Sequence, residues 1–397
     1  MVAGRAGAVI VRGGSGGVVM KVAFARPYLT GEETAAVAEV ITSGWLSQGP
    51  RVREFEAAFA KQVGAPEAVA TTSCTTALHL ALHAIGIAPG DEVIVPSLSF
   101  IATANAVWEC GAKPVFADID PLTYNLDPAS AEKAITPRTR AIMPVHQVGL
   151  PADMDGFTRL GERYGVAIVE DAACAIGAIY KGRPIGSLGH VACFSFHPRK
   201  VITTGEGGMI AVHDTELAER MRRLRAHAMD MSDLARHRAK DVIFEAYPEP
   251  GFNLRMTDIQ AALGLCQLNA LDYVLARRRY LAERYTEALE WVPGLEPPFD
   301  PPYAVRTWQS YCVRVTERAN VGRTELMRRL LADGISTRRG VMAIHREPAY
   351  RHLARPLPHT DAAARDVLLL PLFPDMSDEE QDYVMDRLAT HVTAQAA

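Results

Sequence analysis

No apolar run in this 397-residue chain reaches the length of a membrane span, so nothing in it reads as a helix crossing a bilayer. An excess of one charge is missing too. The chain has 42 lysines and arginines against 46 aspartates and glutamates, and its net charge of -4 gives no reason to expect nucleic acid or a membrane surface as partner. Cysteine is scarce. The six, Cys74, Cys110, Cys174, Cys193, Cys266 and Cys312, show no pairing at metal-ligand spacing, and free thiols in a reducing cytoplasm are the simplest account. No internal repeat is present. The first nineteen residues, with Gly13-Gly14-Ser15-Gly16-Gly17 inside, lack a signal peptide's apolar core and cleavage site, and they read as a disordered extension. That glycine cluster is not followed by a lysine and a helix, which argues against a phosphate loop.

What is there is a soluble-enzyme composition, 48% hydrophobic and 22% charged, in a chain too long for one ordinary core. Two domains are expected, residues 20–258 and residues 259–397, the second opening on a connector helix. Within the first, short β-branched runs alternate with helical periodicity. The runs are Glu92–Pro96, Pro114–Ile119, Ala141–Val145, Ala167–Glu170, Val191–Phe196 and Gly208–Val212. This alternation predicts an α/β fold with a mostly parallel sheet and helices on both faces. In open sheets of this kind ligands bind beyond the carboxyl ends of the strands.

The residues just after those runs carry the chemistry. Val191–Phe196 stops at His197-Pro198-Arg199-Lys200, because proline fixes φ and removes a donor. Lys200 then sits in a turn of hydroxyls and glycines before Met209–Val212. A pinned, partly desolvated amine can lose its proton and form a Schiff base, although a surface lysine in a hairpin fits the same residues. An electron-sink cofactor such as pyridoxal phosphate also needs a carboxylate for its ring nitrogen, a flat neighbour and a phosphate cradle. Asp171 follows Val169-Glu170, and a carboxylate there is costly without a cationic partner; a helix cap or a structural ion pair is the alternative. Ser73-Cys74-Thr75-Thr76 opens a helix and offers hydroxyls and free amides to an anion, or is an ordinary cap. Phe100 could cover an aromatic ligand or belong to the core. His79 and His83 stand four apart, but no glutamate lies between them and no third metal ligand is evident. Arg277-Arg278-Arg279 reads as a solvated helix face.

Taken in order, these motifs resemble the nucleotide-sugar aminotransferases of the DegT/StrS family, within the fold type I pyridoxal enzymes. The resemblance covers about residues 22–392. It rests on Ser195-Phe196-His197-Pro198-Arg199-Lys200 with Ile202-Thr203-Thr204-Gly205-Glu206-Gly207-Gly208. Glu170-Asp171-Ala172-Ala173, Pro96-Ser97-Leu98-Ser99-Phe100, Pro144-Val145-His146 and Gly251-Phe252-Asn253-Leu254-Arg255-Met256-Thr257-Asp258 support it. The resemblance implies an aspartate aminotransferase-like fold in which residues 20–258 bind pyridoxal 5'-phosphate. It implies a Schiff base on Lys200, Asp171 on the ring nitrogen, Phe100 stacked on the ring, and Thr75, Thr76 and Ser195 on the phosphate. His197 would lie near the substrate. Asn253 would reach the cofactor phosphate of a neighbouring subunit in a homodimer. The implied reaction is a ping-pong transfer of an amino group, with glutamate as donor and a nucleotide-linked keto-deoxysugar as acceptor. An aminocyclitol aminotransferase and a sugar dehydratase are the alternatives, and the dehydratases carry histidine where Lys200 stands. Cys174 stands where the family often has glutamine or histidine, and Cys74 replaces the usual glycine of the phosphate turn.

Overall fold

Runs of valine, isoleucine and alanine, stopped by proline, serine or a charged turn, make the centre of the chain. The computed structural model describes residues 9–12, 18–231 and 244–393. Seven runs form one sheet: β1 (Glu67–Thr71), β2 (Glu92–Pro96), β3 (Lys113–Ala117), β4 (Thr139–Ile142), β5 (Ala167–Asp171), β6 (Val191–Ser195) and β7 (Gly208–Val212). Their spatial order is β1-β7-β6-β5-β4-β2-β3. β7 is antiparallel to both its neighbours, and the other pairings are parallel. β2, β6 and β7 are buried along their whole length, which is why they read as unbroken apolar runs.

The expected mostly parallel α/β sheet is therefore present. The sequence reading names no strand before Glu92, yet β1 is paired along its length with β7. Its Glu67-Ala68-Val69-Ala70-Thr71 is too poor in β-branched residues to announce itself, and the distant partner decides.

Helices cover both faces. On one, α1 (Glu33–Ser43) and α2 (Pro50–Val63) pack near α8 (Asp258–Asn269), and Phe55 and Phe59 of α2 meet Phe194 and Phe196 edge-on or tilted, with centroids 5.0 to 5.7 Å apart. Thr30, just before α1, places a hydroxyl where a helix cap could form, but α1 has no side-chain cap. Thr30 instead binds the Glu32 amide, while Glu33 turns back to accept from the Thr30 and Gly31 amides. α5 (Pro128–Ala134) and α6 (Met154–Tyr164) share that face, whereas α3 (Cys74–Ala84), α4 (Ala102–Glu109) and α7 (Thr215–Leu224) lie on the other. Thr257 caps α8 through a reciprocal pair with Gln260, as its position before an apolar run predicts.

α8 breaks at Ala270 and turns by 58° into α9 (Leu271–Leu289). α9 then packs on α12 (Asp378–Thr393) beside a second, four-stranded antiparallel sheet. Its strands are β8 (Leu295–Glu296), β9 (Tyr311–Val315), β10 (Arg338–Arg339) and β11 (Val367–Leu370), in the order β8-β9-β11-β10. α10 (Arg323–Ala332) also joins this core, and α11 (Pro358–Asp366) leads into β11. The arginine run on α9 is not the solvated face it reads as. Arg279 is exposed, but Arg278 is 2% exposed and donates to the carbonyls of Trp308, Gln309 and Leu372. Charge in a sequence marks solvent only where no carbonyl cluster waits to receive it.

The expected disordered extension lies partly outside the described residues. Val9–Arg12 pairs antiparallel with Val18–Lys21, two short runs rich in β-branched valine and isoleucine. No single described helix is long and apolar enough to cross a membrane.

Candidate active site

β5 and β6 run side by side and in register, with Asp171 opposite Cys193. Both end at the same edge of the sheet, so the turns beyond them are brought together. After β6 the chain makes a tight turn in which the Lys200 amide donates to the His197 carbonyl (2.8 Å) and the Arg199 amide to His197 Nδ1 (3.2 Å). The turn is closed at its base by Phe196, whose amide donates to Gly207 and whose carbonyl accepts from Thr204. After β5 comes Ala172-Ala173-Cys174, and Lys200 Nζ donates to Cys174 Sγ at 3.2 Å. Lysine and carboxylate thus approach one space from neighbouring strands.

Asp171 is buried and its partners are few. Thr103 donates its hydroxyl to Oδ2 (2.8 Å), the Ala173 amide donates to Oδ1 (3.2 Å), and Ser99 backs Thr103 at 2.7 Å. No salt bridge to Asp171 is present among the described residues. A buried carboxylate holding two donors has capacity for one more, and a protonated pyridine nitrogen is a donor of the required sign. Its negative charge is felt nearby: the thiols of Cys74 and Cys193 lie well above their ordinary range, first through burial and then through Asp171. Burial works to lower the Lys200 pKa, but Cys174, then Cys74 and Asp171, outweigh it and hold the amine as a cation. Burial, then the charge of Arg199, lowers His197 below its ordinary value, so it is the more readily neutral of the two.

The phosphate end has its own logic. Ser73 caps α3, and Thr76 closes a capping box by accepting from the Ser73 amide at 3.0 Å. The Thr76 hydroxyl is thereby committed to the cap, leaving the first free amides of the helix, at Cys74 and Thr75, for an anion. Ser195 is brought alongside by strand pairing: it sits opposite Gly208, where an added β-carbon would overlap the Ser73 carbonyl and come within 2.7 Å of the Cys74 nitrogen. Only glycine lets the strand approach the helix start this closely. Phe100, ahead of α4, is 64% exposed and leaves a ring face uncovered. Carboxylate, amine, open ring and amide-lined helix start together suit pyridoxal phosphate. Asn253 is exposed, bridges to Ala226, and makes no hydrogen bond to Lys200, Asp171 or Ser195 among the described residues, although the carbonyl of Leu254 beside it accepts from the Thr72 amide just before Ser73.

Two residues around Asp171 and Lys200 escape a sequence reading. Thr103 lies in the hydroxyl-rich stretch after Pro96, three positions past Phe100, a spacing that puts both at the start of one helix; that is the signal that could have found it. Cys174 is visible as a departure from the family pattern, but its contact with Lys200 depends on strand adjacency. Size alone would also mislead. A cleft of about 820 Å³ lies elsewhere, between α2 and α7, lined by Arg53, Glu56, Arg222 and Arg225 among others.

A mostly parallel sheet presenting an amine and a buried carboxylate at adjoining strand ends defines a fold type I pyridoxal-phosphate transferase. The chain belongs to the DegT/DnrJ/EryC1/StrS aminotransferase family, whose model matches residues 27–389. It is 42% identical over 369 residues to the spore coat polysaccharide biosynthesis protein SpsC of Bacillus subtilis strain 168, covering 91% of this chain and 95% of that one. Among solved structures it resembles S. venezuelae DesV in complex with a ketimine intermediate, at 39% identity and a TM-score of 0.87 over 95% of this chain and 100% of that one. DesI, solved in the presence of its TDP-sugar product, matches at 35% identity and a TM-score of 0.85 over 94% and 93% of the two chains. The chain is therefore a sugar aminotransferase of a pyridoxal-phosphate-dependent family.

Proposed function

We propose that this enzyme moves an amino group from glutamate to a keto-deoxysugar carried on a nucleotide, in two half-reactions at one site. The observation that carries the reading is the meeting of Lys200 with the turn after Asp171, at 3.2 Å from Cys174. Pyridoxal phosphate, when bound, supplies an electron sink for the carbanion that forms next to the transferred nitrogen. Lys200 supplies the amine that tethers the cofactor and, once released, carries a proton to and from the reacting carbon. Asp171 keeps the ring nitrogen protonated, with Thr103 fixing its carboxylate. Thr75 and Ser195 take the phosphate, Thr75 with the Cys74 amide at the start of α3, and Thr76 holds the cap that leaves those amides free. Phe100 covers the ring, and His197 stands on the substrate side. The TDP-sugar product of DesI supports a nucleotide-linked acceptor. Asn253, exposed and with no hydrogen bond to its own Lys200 among the described residues, fits a role across a homodimer of cytoplasmic subunits, each divided near residue 258.

The test loads wild-type and Lys200→Ala protein with pyridoxal phosphate, then adds glutamate and a panel of nucleotide keto-sugars and free inososes. Glutamate should bleach the wild-type visible band, and a nucleotide keto-sugar should restore it. Lys200→Ala should show no such band and lose activity by at least about a thousandfold. Normal turnover by Lys200→Ala would overturn the assignment. Restoration by inososes alone would favour the aminocyclitol alternative, and loss of a sugar hydroxyl without amination the dehydratase.

A further inference from the structure

A segment from outside the large sheet grips the Lys200 turn and the Cys174 turn together. Between the last short strand of the linker, Ala304–Val305, and β9 runs Arg306-Thr307-Trp308-Gln309. Thr307 is buried. Its hydroxyl donates to the Cys174 carbonyl (2.8 Å) and its amide to the Gly149 carbonyl (3.1 Å). Gly149 has φ +91°, and a β-carbon there would overlap the Thr307 hydroxyl, so the two backbones approach as closely as they can. Two residues on, Gln309 Nε2 donates to the Arg199 carbonyl (2.9 Å), while its Oε1 accepts from Ser310 Oγ (3.1 Å). One short strap therefore holds the residue that touches Lys200 Nζ and the residue that precedes Lys200.

The strap is itself held under strain. Trp308, between Thr307 and Gln309, has φ +53°, a conformation a bulky side chain rarely adopts. Its ring lies between Arg306, 4.6 Å from the ring centroid, and Tyr311, stacked at 5.7 Å. The left-handed turn is accompanied by the Trp308 and Gln309 carbonyls both meeting Arg278. Among the described residues buried Arg278 forms no salt bridge and its Nε has no hydrogen-bond partner, and burial lowers its pKa to about 10. A strained residue braced by a buried cation persists only where the surroundings over-determine it, and such places cluster at functional sites.

We propose that Thr307 and Gln309 are positioning residues of the amino transfer, fixing through Cys174 and Arg199 where the Lys200 amine stands. The inference rests on Lys200 being the amine that tethers the cofactor. With the strap in place, Cys174 stays against the Lys200 nitrogen and favours its protonated form, whether that nitrogen is free or joined to the cofactor; when either hydrogen bond is broken, the nitrogen gains freedom and releases its proton more easily.

The experiment uses the full chain loaded with pyridoxal phosphate and follows the visible band against pH in wild type, Thr307→Val, Thr307→Ser and Gln309→Ala, with melting curves alongside. The pH midpoint of the band should fall by about half a unit or more in Thr307→Val and Gln309→Ala. With saturating glutamate, kcat should fall by about tenfold while KM changes by less than about threefold. Thr307→Ser, which keeps the hydroxyl, should restore the midpoint. If Thr307→Val does not fold, Gln309→Ala carries the test alone. A midpoint at or above the wild-type value in the variant read, whatever its melting temperature, overturns the proposal. Lys200→Ala serves as the separate control: a visible band retained there sinks the reading of Lys200, whereas its disappearance there with unmoved midpoints in the strap variants sinks only the strap.

Discussion

The strand ends of the large sheet and the region around the small sheet use buried polar groups in opposite ways. Asp171 sits where two strands end, takes a hydroxyl and an amide, and keeps room for one more donor. Arg278 sits inside a helix–sheet core, spends its guanidinium on three carbonyls, and faces nothing that could react. The first group is left incomplete in the direction of a ligand. The second is spent on holding backbone. A shortfall in hydrogen bonding is not enough to mark chemistry, since Arg278 Nε lacks a partner among the described residues too; what sets Asp171 apart is that its spare capacity lies where two strands end.

The sharpest way to break this comparison is at the first group. Asp171→Asn removes the charge that keeps a ring nitrogen protonated while preserving shape, so kcat should fall by about a thousandfold, or about 4 kcal/mol of barrier. The melting temperature should hold or rise, since a desolvated carboxylate disappears; steady-state rates and a melting curve check both. A large loss of stability with little loss of rate would mean that Asp171 is structural. The second group should show the reverse. Arg278→Met leaves carbonyls unpaired and should destabilise the fold by about 2–4 kcal/mol by denaturant titration, with a smaller effect on rate.

The smallest effect sharpens the comparison at a carboxylate joining the two regions. Asp118, just past β3, accepts from the Thr360 hydroxyl (2.7 Å), the Thr360 amide (2.8 Å) and the His359 amide (3.0 Å) at the start of α11. Burial opposes its charge, but the Thr360 and His359 bonds prevail and its pKa is lowered. A depressed folded-state pKa gives stability that is full above the ordinary aspartate value and is lost as pH falls through the lowered one. Asp118→Asn should cost about 1 kcal/mol near neutral pH, less in acid, and flatten the acid limb of melting temperature against pH.

How much of this could be read from the chain depends on the range of the contacts behind each feature. Asp171 and Ser195 close strands, Lys200 and Phe100 lie in the turns that follow strands, each with a local signature, and five of the six expected strands lie within two residues of the observed bounds at both ends. β4, at Thr139–Ile142, ends earlier than the Ala141–Val145 run because Met143 to Val145 leaves regular pairing, keeping only a bridge from Val145 to Asp171. Thr307, Gln309 and Arg278 had no such signature. Their roles come from contacts between segments far apart in sequence, and a periodicity argument is blind to these. Thr76 was half legible: its place at a helix start is clear, but that its hydroxyl belongs to the cap appears only once Ser73 is seen to reciprocate.

The order of the large sheet carries one more consequence. β1, the first of its strands in the chain, has β7, the last, as its one neighbour among the described strands. Until Gly208–Val212 has been synthesised, β1 has no partner and the start of α3 no glycine strand to lie against. Pairings this distant form slowly, and a nascent chain exposes its unpaired edge meanwhile. The cradle at the start of α3 is thus among the last parts to be assembled, and a protein stalled just before Gly208 would carry Asp171 and Lys200 with no finished phosphate site beside them.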